Sequence, residues 1–269
     1  MKNLAGLSTL NIELTNVCNK NCWMCGRRKI EKEKPEFYST YSKHISFDLL
    51  EKIAKELKNQ KLLIQFHWDG EPLLHPKLKE ALLLFKNQIK CLDTNGKELY
   101  NKADQIIGIL DTLTLSTFVN DSEWEEQYEI LLKFLKLKGD DKPNVIIRQL
   151  GDIEEHRLTL YEKTGCLMAK RILHSPMGSF NYTQKTVIPE YGICLEMLSH
   201  PAIDVNGNMS ICVRFDPEKL GVIGNINDST ITELWNSDKR KEWLQYHING
   251  EREKHLLCKN CDFWGIPKG

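Results

Sequence analysis

The chain has 269 residues, which is enough for one or two domains with a sizeable core. Lysine plus arginine and aspartate plus glutamate both number 37, so the formal net charge is zero, which argues against general binding to nucleic acid or to a membrane surface. The start lacks the apolar run of a secretory signal, and no stretch approaches the roughly 20 apolar residues of a membrane span, so we expect a cytoplasmic protein.

Short apolar runs alternate with longer amphipathic ones from residue 8 to about residue 173. The apolar runs predict strands at "STLNIEL", "LLIQFHW", "IKCLDT", "DTLTLST" and "NVIIRQL". The amphipathic runs predict helices at "SFDLLEKIAKELKN", "HPKLKEALLLFKNQ", "KELYNKADQIIGIL", "DSEWEEQYEILLKFLKLK" and "IEEHRLTLYEKTG". Ser46 can cap the first of these helices, and Ser122 with Glu125 has the pattern of a capping box at the fourth. These five strand–helix units, followed by an irregular sixth before residue 173, predict an α/β fold whose parallel sheet closes into a barrel or stays an open arc.

The pattern changes near residue 174. The polar segment "HSPMGSFNYTQKTVIPEYG" predicts a long ordered loop that could act as a lid. "AIDVNGNMSICV" predicts a hairpin with its turn at Asn206 and Gly207. "STITELWNSDKRKEWLQYH" predicts one helix, with Thr230 and Glu233 as a capping box. We therefore expect two regions, a barrel over 1–175 and a second unit over 176–269.

Nine cysteines are many for a chain expected in the reducing cytosol, where clustered cysteines bind metal or react more often than they form disulfides. Cys18, Cys22 and Cys25 form one group directly after the first predicted strand. Three thiolates cannot complete a four-ligand structural zinc site, although they could be part of one. A [4Fe–4S] cluster held by three cysteines leaves one iron open to a small molecule.

The spacing C-x₃-C-x₂-C after the first strand of a βα barrel resembles the signature of the radical S-adenosylmethionine (SAM) superfamily. "WDGEPLLHP" is similar to the Gly-Gly-Glu motif of that family, and "DTNG", "LST" and "IIRQ" resemble the ends of its third, fourth and fifth strands. The resemblance implies a partial (β/α)₆ TIM-like barrel in which the open iron binds SAM. It further implies that an electron from reduced flavodoxin or ferredoxin cleaves SAM to methionine and a 5′-deoxyadenosyl radical, which abstracts hydrogen from a substrate.

The same resemblance assigns cofactor-binding positions on the loop and at the strand ends. Asp69 stands where the family has its first glycine, and Met24 stands where many relatives have an aromatic residue. The arginine that many relatives use to bind the SAM carboxylate is absent, so Arg148 or a lysine would substitute for it. The predicted cofactor-binding residues are Met24, Asp69, Gly70, Glu71, Asn95, Ser116, Arg148 and Gln149.

A second set of cysteines lies in the last third of the chain. Four thiolates complete a site for zinc or for an iron–sulfur cluster, and spacing alone does not choose between them. "C…DVNGNMSIC…GVIGNINDSTITELWNS…CKNC" resembles the SPASM/twitch extension of radical SAM enzymes, in the shortened form with one auxiliary cluster. The resemblance therefore implies a small hairpin-plus-helix iron–sulfur domain and two [4Fe–4S] clusters in all. The predicted metal ligands are Cys18, Cys22, Cys25, Cys194, Cys212, Cys258 and Cys261.

Three functional interpretations remain open. The favoured one is dehydrogenation of an alcohol on a small polar metabolite, a sugar or cyclitol, with the remaining electron passed to the auxiliary cluster. The second is crosslinking, epimerisation or maturation of a ribosomal peptide or protein, although the cluster loop begins at residue 18 and leaves no room before it for a peptide-recognition domain. The third is a non-enzymatic binding protein stapled by zinc. The predicted catalytic side chains are Arg148 and Cys166, the latter as a hydrogen-atom donor in an epimerisation.

Overall fold

The computed structural model of the protein describes residues 3–41, 43–171, 173 and 193–261. The predicted lid at 174–192 lies outside the described residues. The strands are β1 (Thr9–Ile12), β2 (Leu63–Phe66), β3 (Ile89–Thr94), β4 (Thr112–Phe118), β5 (Asn144–Leu150), β6 (Leu167–Arg171), β7 (Ala202–Ile203), β8 (Asn208–Ser210) and β9 (Val222–Asn225). The α-helices are α1 (Arg27–Glu33), α2 (Phe37–Tyr41), α3 (Phe47–Leu57), α4 (Leu78–Leu84), α5 (Ala103–Ile106), α6 (Trp124–Lys138), α7 (Glu155–Glu162), α8 (Leu195–Ser199), α9 (Ile231–Trp235), α10 (Asp238–Ile248) and α11 (Leu256–Lys259). None of the helices in these residues has the length and apolar character that crossing a membrane requires.

The first six strands form a parallel sheet in chain order, from β1 to β6. Each connection therefore leads to the adjacent strand, which is the arrangement of a partial (β/α) barrel. Over the described residues the sheet stays an open arc, with β6 at one edge. The predicted α/β fold with a partial barrel is confirmed.

The carboxyl-terminal hairpin extends the same sheet. Strand β7 pairs in parallel with β1, placing Asn11 opposite Ala202, and β8 and β9 follow in antiparallel order. The predicted turn is confirmed, because Gly207 has a φ of +84° that a glycine adopts without steric cost. The Asp204 carboxylate accepts hydrogen bonds from the backbone N–H groups of Asn206 and Asn208. The sequence did not indicate that this hairpin would continue the barrel sheet.

The two faces of the parallel sheet have opposite character. The outer face is apolar and packs on the helices, as in the contact between the Phe66 and Phe85 rings, whose centroids are 5.4 Å apart. Side chains in register on neighbouring strands point to the same side of the sheet. On the inner face these side chains are largely polar. The polar inner residues include Asn11, Gln65, Asp93, Thr114, Ser116 and Arg148. The inside of the arc is therefore built to hold polar groups rather than to pack as a closed core.

Of the two helix caps predicted in the barrel region, one is correct and one is wrong. Ser46 caps α3 by accepting a hydrogen bond from the Leu49 N–H at 3.3 Å, as predicted. The capping box predicted for Ser122 and Glu125 is wrong, because α6 begins at Trp124 and no side chain caps it. The Asp121 carboxylate accepts from the Glu123 N–H at 3.1 Å just before that helix.

The long helix predicted in the carboxyl-terminal region is two helices. The capping box of Thr230 and Glu233 is present at the start of α9. The helix α9 ends at Trp235, and Ser237 caps α10 by accepting a hydrogen bond from the Arg240 N–H at 3.3 Å. Serine favours caps over helix interiors because its hydroxyl competes for backbone groups, and this explains the break.

Candidate active site

The first cysteine group lies in the loop between β1 and α1, at the carboxyl end of β1. In a barrel of parallel strands this is the edge that carries active sites. The thiols of Cys18, Cys22 and Cys25 are partly buried. Burial, with the neighbouring thiols adding to it, raises the pKa of Cys22 to about 12 and that of Cys25 to about 11. The three thiols are thus near enough to influence one another's pKa, and a bound metal would be needed to hold them as thiolates.

The cluster loop is fixed to the barrel by buried polar contacts. The Lys20 ammonium lies 2.7 Å from the Asp121 carboxylate beyond β4, and both side chains are 2% exposed. The Trp23 indole N–H donates to the Val119 carbonyl at 2.9 Å. The Arg27 guanidinium donates to the Asn16 carbonyl, and its carbon lies 3.7 Å from the centre of the Tyr38 ring. These contacts hold the cluster loop in place, and none of them involves the side chains of the three cysteines.

The Lys20 contact gives a stability prediction. Lys20→Met leaves the buried Asp121 charge without its partner, so we expect the free energy of unfolding in urea to fall by about 3–5 kcal/mol. The matched control is Lys142→Met, which breaks a pair with Asp111 whose lysine is 61% exposed and should cost less than about 1 kcal/mol. Equal losses in the two variants would show that Lys20 does not anchor the loop.

The loop after β2 is docked directly onto the cluster loop. A side-chain carbon on Gly70 would lie 2.0 Å from the Thr15 carbonyl oxygen, so the close approach requires glycine. The Glu71 N–H donates to the Val17 carbonyl at 2.8 Å. The Asp69 N–H donates to the carboxylate of Glu13 at 3.1 Å. The two motifs that carry the sequence resemblance therefore form one continuous surface.

The Glu71 side chain points to the end of β3. Its carboxylate accepts from the Thr94 hydroxyl at 2.7 Å and from the N–H groups of Asn95 and Leu73 at 2.7 and 3.1 Å. Burial raises the pKa of this carboxyl to about 7. Glu71 therefore shapes the loop, because its carboxylate is engaged by these three hydrogen bonds.

Asn95 joins the end of β3 to the cluster loop. Its amide N–H group lies 3.8 Å from the Cys18 sulfur and donates to the Asn19 side chain at 3.0 Å. The Gln127 amide of α6 donates to the carbonyls of Asn95 and Ser116 at 2.7 and 3.0 Å. Gln127 is buried in the row that continues with Leu131 and Phe134. A glutamine at a position where the helix pattern expects an apolar residue was the sequence signal that could have identified Gln127 as a buried hydrogen-bond donor.

A cavity of about 640 Å³ opens beside the cluster loop. Its walls are the cluster loop, the inner face of the barrel and the segments on either side of the carboxyl-terminal hairpin. The lining includes Cys22, Met24 and Cys25 of the loop, Gln65, His67 and Arg148 of the barrel, and Glu196, His200 and Arg214 of the carboxyl-terminal region. The volume is that of a small-molecule site.

Asp93 is the centre of a polar network on the barrel wall. Its carboxylate accepts from the Arg148 guanidinium and from the Gln65 amide at 3.2 Å, and it lies 3.5 Å from the His67 ring. Burial alone would raise the pKa of Asp93, but His67 and Arg148 outweigh it and hold the pKa below its usual range. The Asp93 carboxylate therefore fixes the positions of the Arg148, Gln65 and His67 side chains that face the cavity.

A second chain of contacts links the hairpin region to the same wall. The His200 ring lies 2.8 Å from the Glu196 carboxylate and contacts the Asn11 side chain. Asn11 in turn donates to the His67 carbonyl at 3.1 Å. His67 and His200 both line the cavity, and the sequence analysis singled out neither of them as a site residue. His67 directly follows β2, and its place at a strand end was the available signal.

The second cysteine group gathers around the hairpin and α11. Burial raises the pKa of the Cys258 thiol to about 12, with Cys194 and Cys261 contributing to the shift. Burial also raises the pKa of Cys212, with Glu196 and Cys194 adding to it. Cys194 is thus near both Cys212 and Cys258. Within the described residues no three histidine, cysteine or acidic side chains converge as ligands of a single metal ion would.

Two family models match the chain. One, described as the radical SAM superfamily, matches residues 12–145, and the other, an iron–sulfur cluster-binding domain named SPASM, matches residues 194–262. The chain belongs to the radical SAM superfamily. The two models cover the two regions that carry the cysteine groups.

Known proteins similar to this radical SAM chain include a named dehydrogenase and two proteins of known structure. An S-adenosyl-L-methionine-dependent 2-deoxy-scyllo-inosamine dehydrogenase of Niallia circulans is 24% identical over 95% of this chain and 92% of its own. The structure of BtrN in complex with AdoMet and 2-DOIA is similar with a TM-score of 0.61 and 19% identity, covering 98% and 95% of the two chains. Streptococcus suis SuiB bound to precursor peptide SuiA has a TM-score of 0.64 and 13% identity, covering 95% of this chain and 71% of its own. These two structures support the fold.

The described residues fit the groups that a radical SAM enzyme with a SPASM domain uses, which are SAM and iron–sulfur clusters. The fit rests on the donor sets: three thiols on an anchored loop, and a separate set of four. Cys18, Cys22 and Cys25 would hold the first cluster, which with SAM supplies radical chemistry. The four cysteines of the carboxyl-terminal region would hold the auxiliary cluster, which supplies an electron acceptor.

Most of the SAM-binding residues predicted from the sequence lie at this site. Met24, Asp69 and Arg148 line the cavity, and Asn95 contacts the loop. Ser116 is in register with Arg148, so both point to the inner face.

Two predicted residues are not at the site. Gln149 lies between Arg148 and Leu150, which both line the cavity, so its side chain points to the other face of β5. Cys166 precedes β6 and packs against the apolar core at the amino end of the strand, the opposite end of the sheet from the cluster loop. Its position does not support a role as hydrogen-atom donor.

Proposed function

We propose that the protein is a radical SAM oxidoreductase that dehydrogenates an alcohol on a small polar metabolite, a sugar or a cyclitol. The observation that carries this proposal is the cavity of about 640 Å³ beside the cluster loop, whose partly apolar lining also presents the polar side chains of Gln65, His67 and Arg148. Its size suits a small molecule together with part of SAM. The 24% identical relative, which bears the name of a cyclitol dehydrogenase, supports the same reaction class.

The side chains of the chain have separate roles in this proposal. Met24, Asp69, Gly70, Asn95 and Ser116 would position SAM, largely through backbone groups and strand ends. Arg148, held in place by Asp93, would orient a substrate hydroxyl at the barrel wall. The cluster loop and the hairpin region together would exclude water from the reacting atoms.

The net reaction removes a hydrogen atom, a proton and an electron from the alcohol carbon and its hydroxyl. The hydrogen atom ends in 5′-deoxyadenosine, the proton goes to solvent, and the electron needs an acceptor. The cluster that Cys194, Cys212, Cys258 and Cys261 would hold is such an acceptor. Because an epimerisation has no electron to discard, a closed four-thiol site supports oxidation over redox-neutral chemistry.

The proposal is tested by the mass of the product. The reconstituted protein is incubated anaerobically in D₂O with SAM, dithionite and the small-molecule fraction of a cell extract. We expect a metabolite lighter than its precursor by two hydrogen atoms, formed in equal amount to 5′-deoxyadenosine above the substrate-free rate. A product with as many hydrogen atoms as its precursor, one of them replaced by deuterium from the solvent, would contradict dehydrogenation.

Peptide modification is the second candidate, and one observation favours it. The fold is similar to that of Streptococcus suis SuiB, solved with its precursor peptide, over 95% of this chain. The same incubation with the peptide fraction of the extract separates the two candidates. A modified peptide, with no change among the small molecules, would replace the dehydrogenase proposal.

A further inference from the structure

Arg171 is a cation of the cavity wall that has no acidic partner among the described residues. It is the last residue of β6, at the carboxyl edge of the sheet, and its side chain lines the cavity. In the described part of the chain no hydrogen bond or ion pair is formed by its guanidinium. Burial, with the charges of Arg214 and Arg148, lowers the pKa of Arg171 to about 10, so the group is still charged at neutral pH.

The acidic groups nearest to Arg171 are already engaged. Asp93 accepts from Arg148 and Gln65. Glu196 lies 2.8 Å from the His200 ring and 3.8 Å from the Arg214 guanidinium. Arg171 thus faces the guanidinium groups of Arg148 and Arg214 across the cavity, and the Asp93 and Glu196 carboxylates attract it without forming an ion pair with it among the described residues. A largely buried charge in such a place is costly unless a ligand of opposite charge accompanies it.

We propose that Arg171, with Arg214 beside it, binds an anionic group of the substrate, either a carboxylate or a phosphate. The planar fork of a guanidinium matches both groups with two parallel hydrogen bonds. This inference rests on the proposed function, because it assigns a chemical feature to the metabolite that the cavity would hold. SAM also carries a carboxylate, and the experiment distinguishes the two sources.

The first arm measures anion binding by calorimetry on the reconstituted protein with SAM bound. The probes are inorganic phosphate and the pair of glucose 6-phosphate and glucose. We expect the wild type to bind phosphate and to prefer the charged sugar, and Arg171→Gln to weaken both charged probes about 10- to 100-fold. Arg171→Lys, which keeps the charge, should retain part of this binding and so guards against a folding defect.

The control for this arm is Lys170→Gln. Lys170 is the neighbouring residue on β6, but its side chain is 65% exposed and pairs with Asp152 at 3.2 Å. The variant therefore removes the same charge from the other side of the strand, and binding should stay within about twofold because exposed charges are screened. Absence of any preference for the charged probes in the wild type, or the same loss in Lys170→Gln as in Arg171→Gln, overturns the inference.

The second arm measures SAM affinity from the change that SAM causes in the electron paramagnetic spectrum of the reduced protein. Arg171→Gln should leave this affinity within about twofold, since the anion assigned to it belongs to the substrate. A tenfold loss of SAM affinity with unchanged phosphate binding would assign the anion to SAM and overturn the inference. If the wild type forms no 5′-deoxyadenosine, the proposed function fails. If cleavage is normal and only the anion preference is missing, the inference alone fails.

Discussion

Replacing Cys18, Cys22 and Cys25 together by alanine is expected to abolish SAM cleavage and to halve the iron content. Two four-iron clusters would give about eight iron per chain in the wild type, and the variant should retain about four. The physical reason is that the second group of four thiols is complete without the first. Iron and labile sulfide are measured after anaerobic reconstitution, and 5′-deoxyadenosine is measured with dithionite and SAM.

Cys91→Ala is the matched control for this triple variant. Cys91 lies in β3, outside both cysteine groups, so its loss should change neither iron content nor SAM cleavage. A triple variant that kept the full iron content would contradict the assignment of the first cluster. Wild-type protein that held zinc and no iron would favour the zinc-stapled binding protein instead.

Local signals explain how much of the fold the sequence could predict. The strand at 144–150 and the cap at Ser46 depend on residues within a few positions of each other, and both are confirmed. The cluster loop was equally visible, because its three cysteines are neighbours in sequence. The capping box at Ser122 failed because α6 begins only at Trp124, with no side chain of the predicted box capping it.

The cavity walls could not be predicted, because they depend on register between distant segments. Asp93 meets His67 and Arg148 only when the four strands from β2 to β5 are in register. His200 reaches Asn11 because β7 pairs with β1, and nothing in the short run at Ala202 specifies that partner. Sequence periodicity gives the face of a strand, whereas the neighbouring strand is chosen by the packing of the whole domain.

Replacing Cys258 and Cys261 together by alanine is expected to stop product formation while SAM cleavage continues. The substrate radical left by hydrogen abstraction must lose one more electron, and these thiols would help to hold the acceptor. The first cysteine group lies on a different loop, between β1 and α1, and is untouched by the change. Product is followed by mass spectrometry and cleavage by 5′-deoxyadenosine, so the two steps are separated in one assay.

Folding is the main confounder, because closing a four-thiol metal site contributes to folding free energy. A circular dichroism melt of the double variant therefore accompanies the assay. Lys259→Ala is the matched control, since Lys259 is an exposed residue between the two cysteines and its loss leaves the thiols in place. A folded double variant that still forms the dehydrogenated product would contradict the role of the auxiliary site, because the second electron would then leave by a route that does not involve these cysteines.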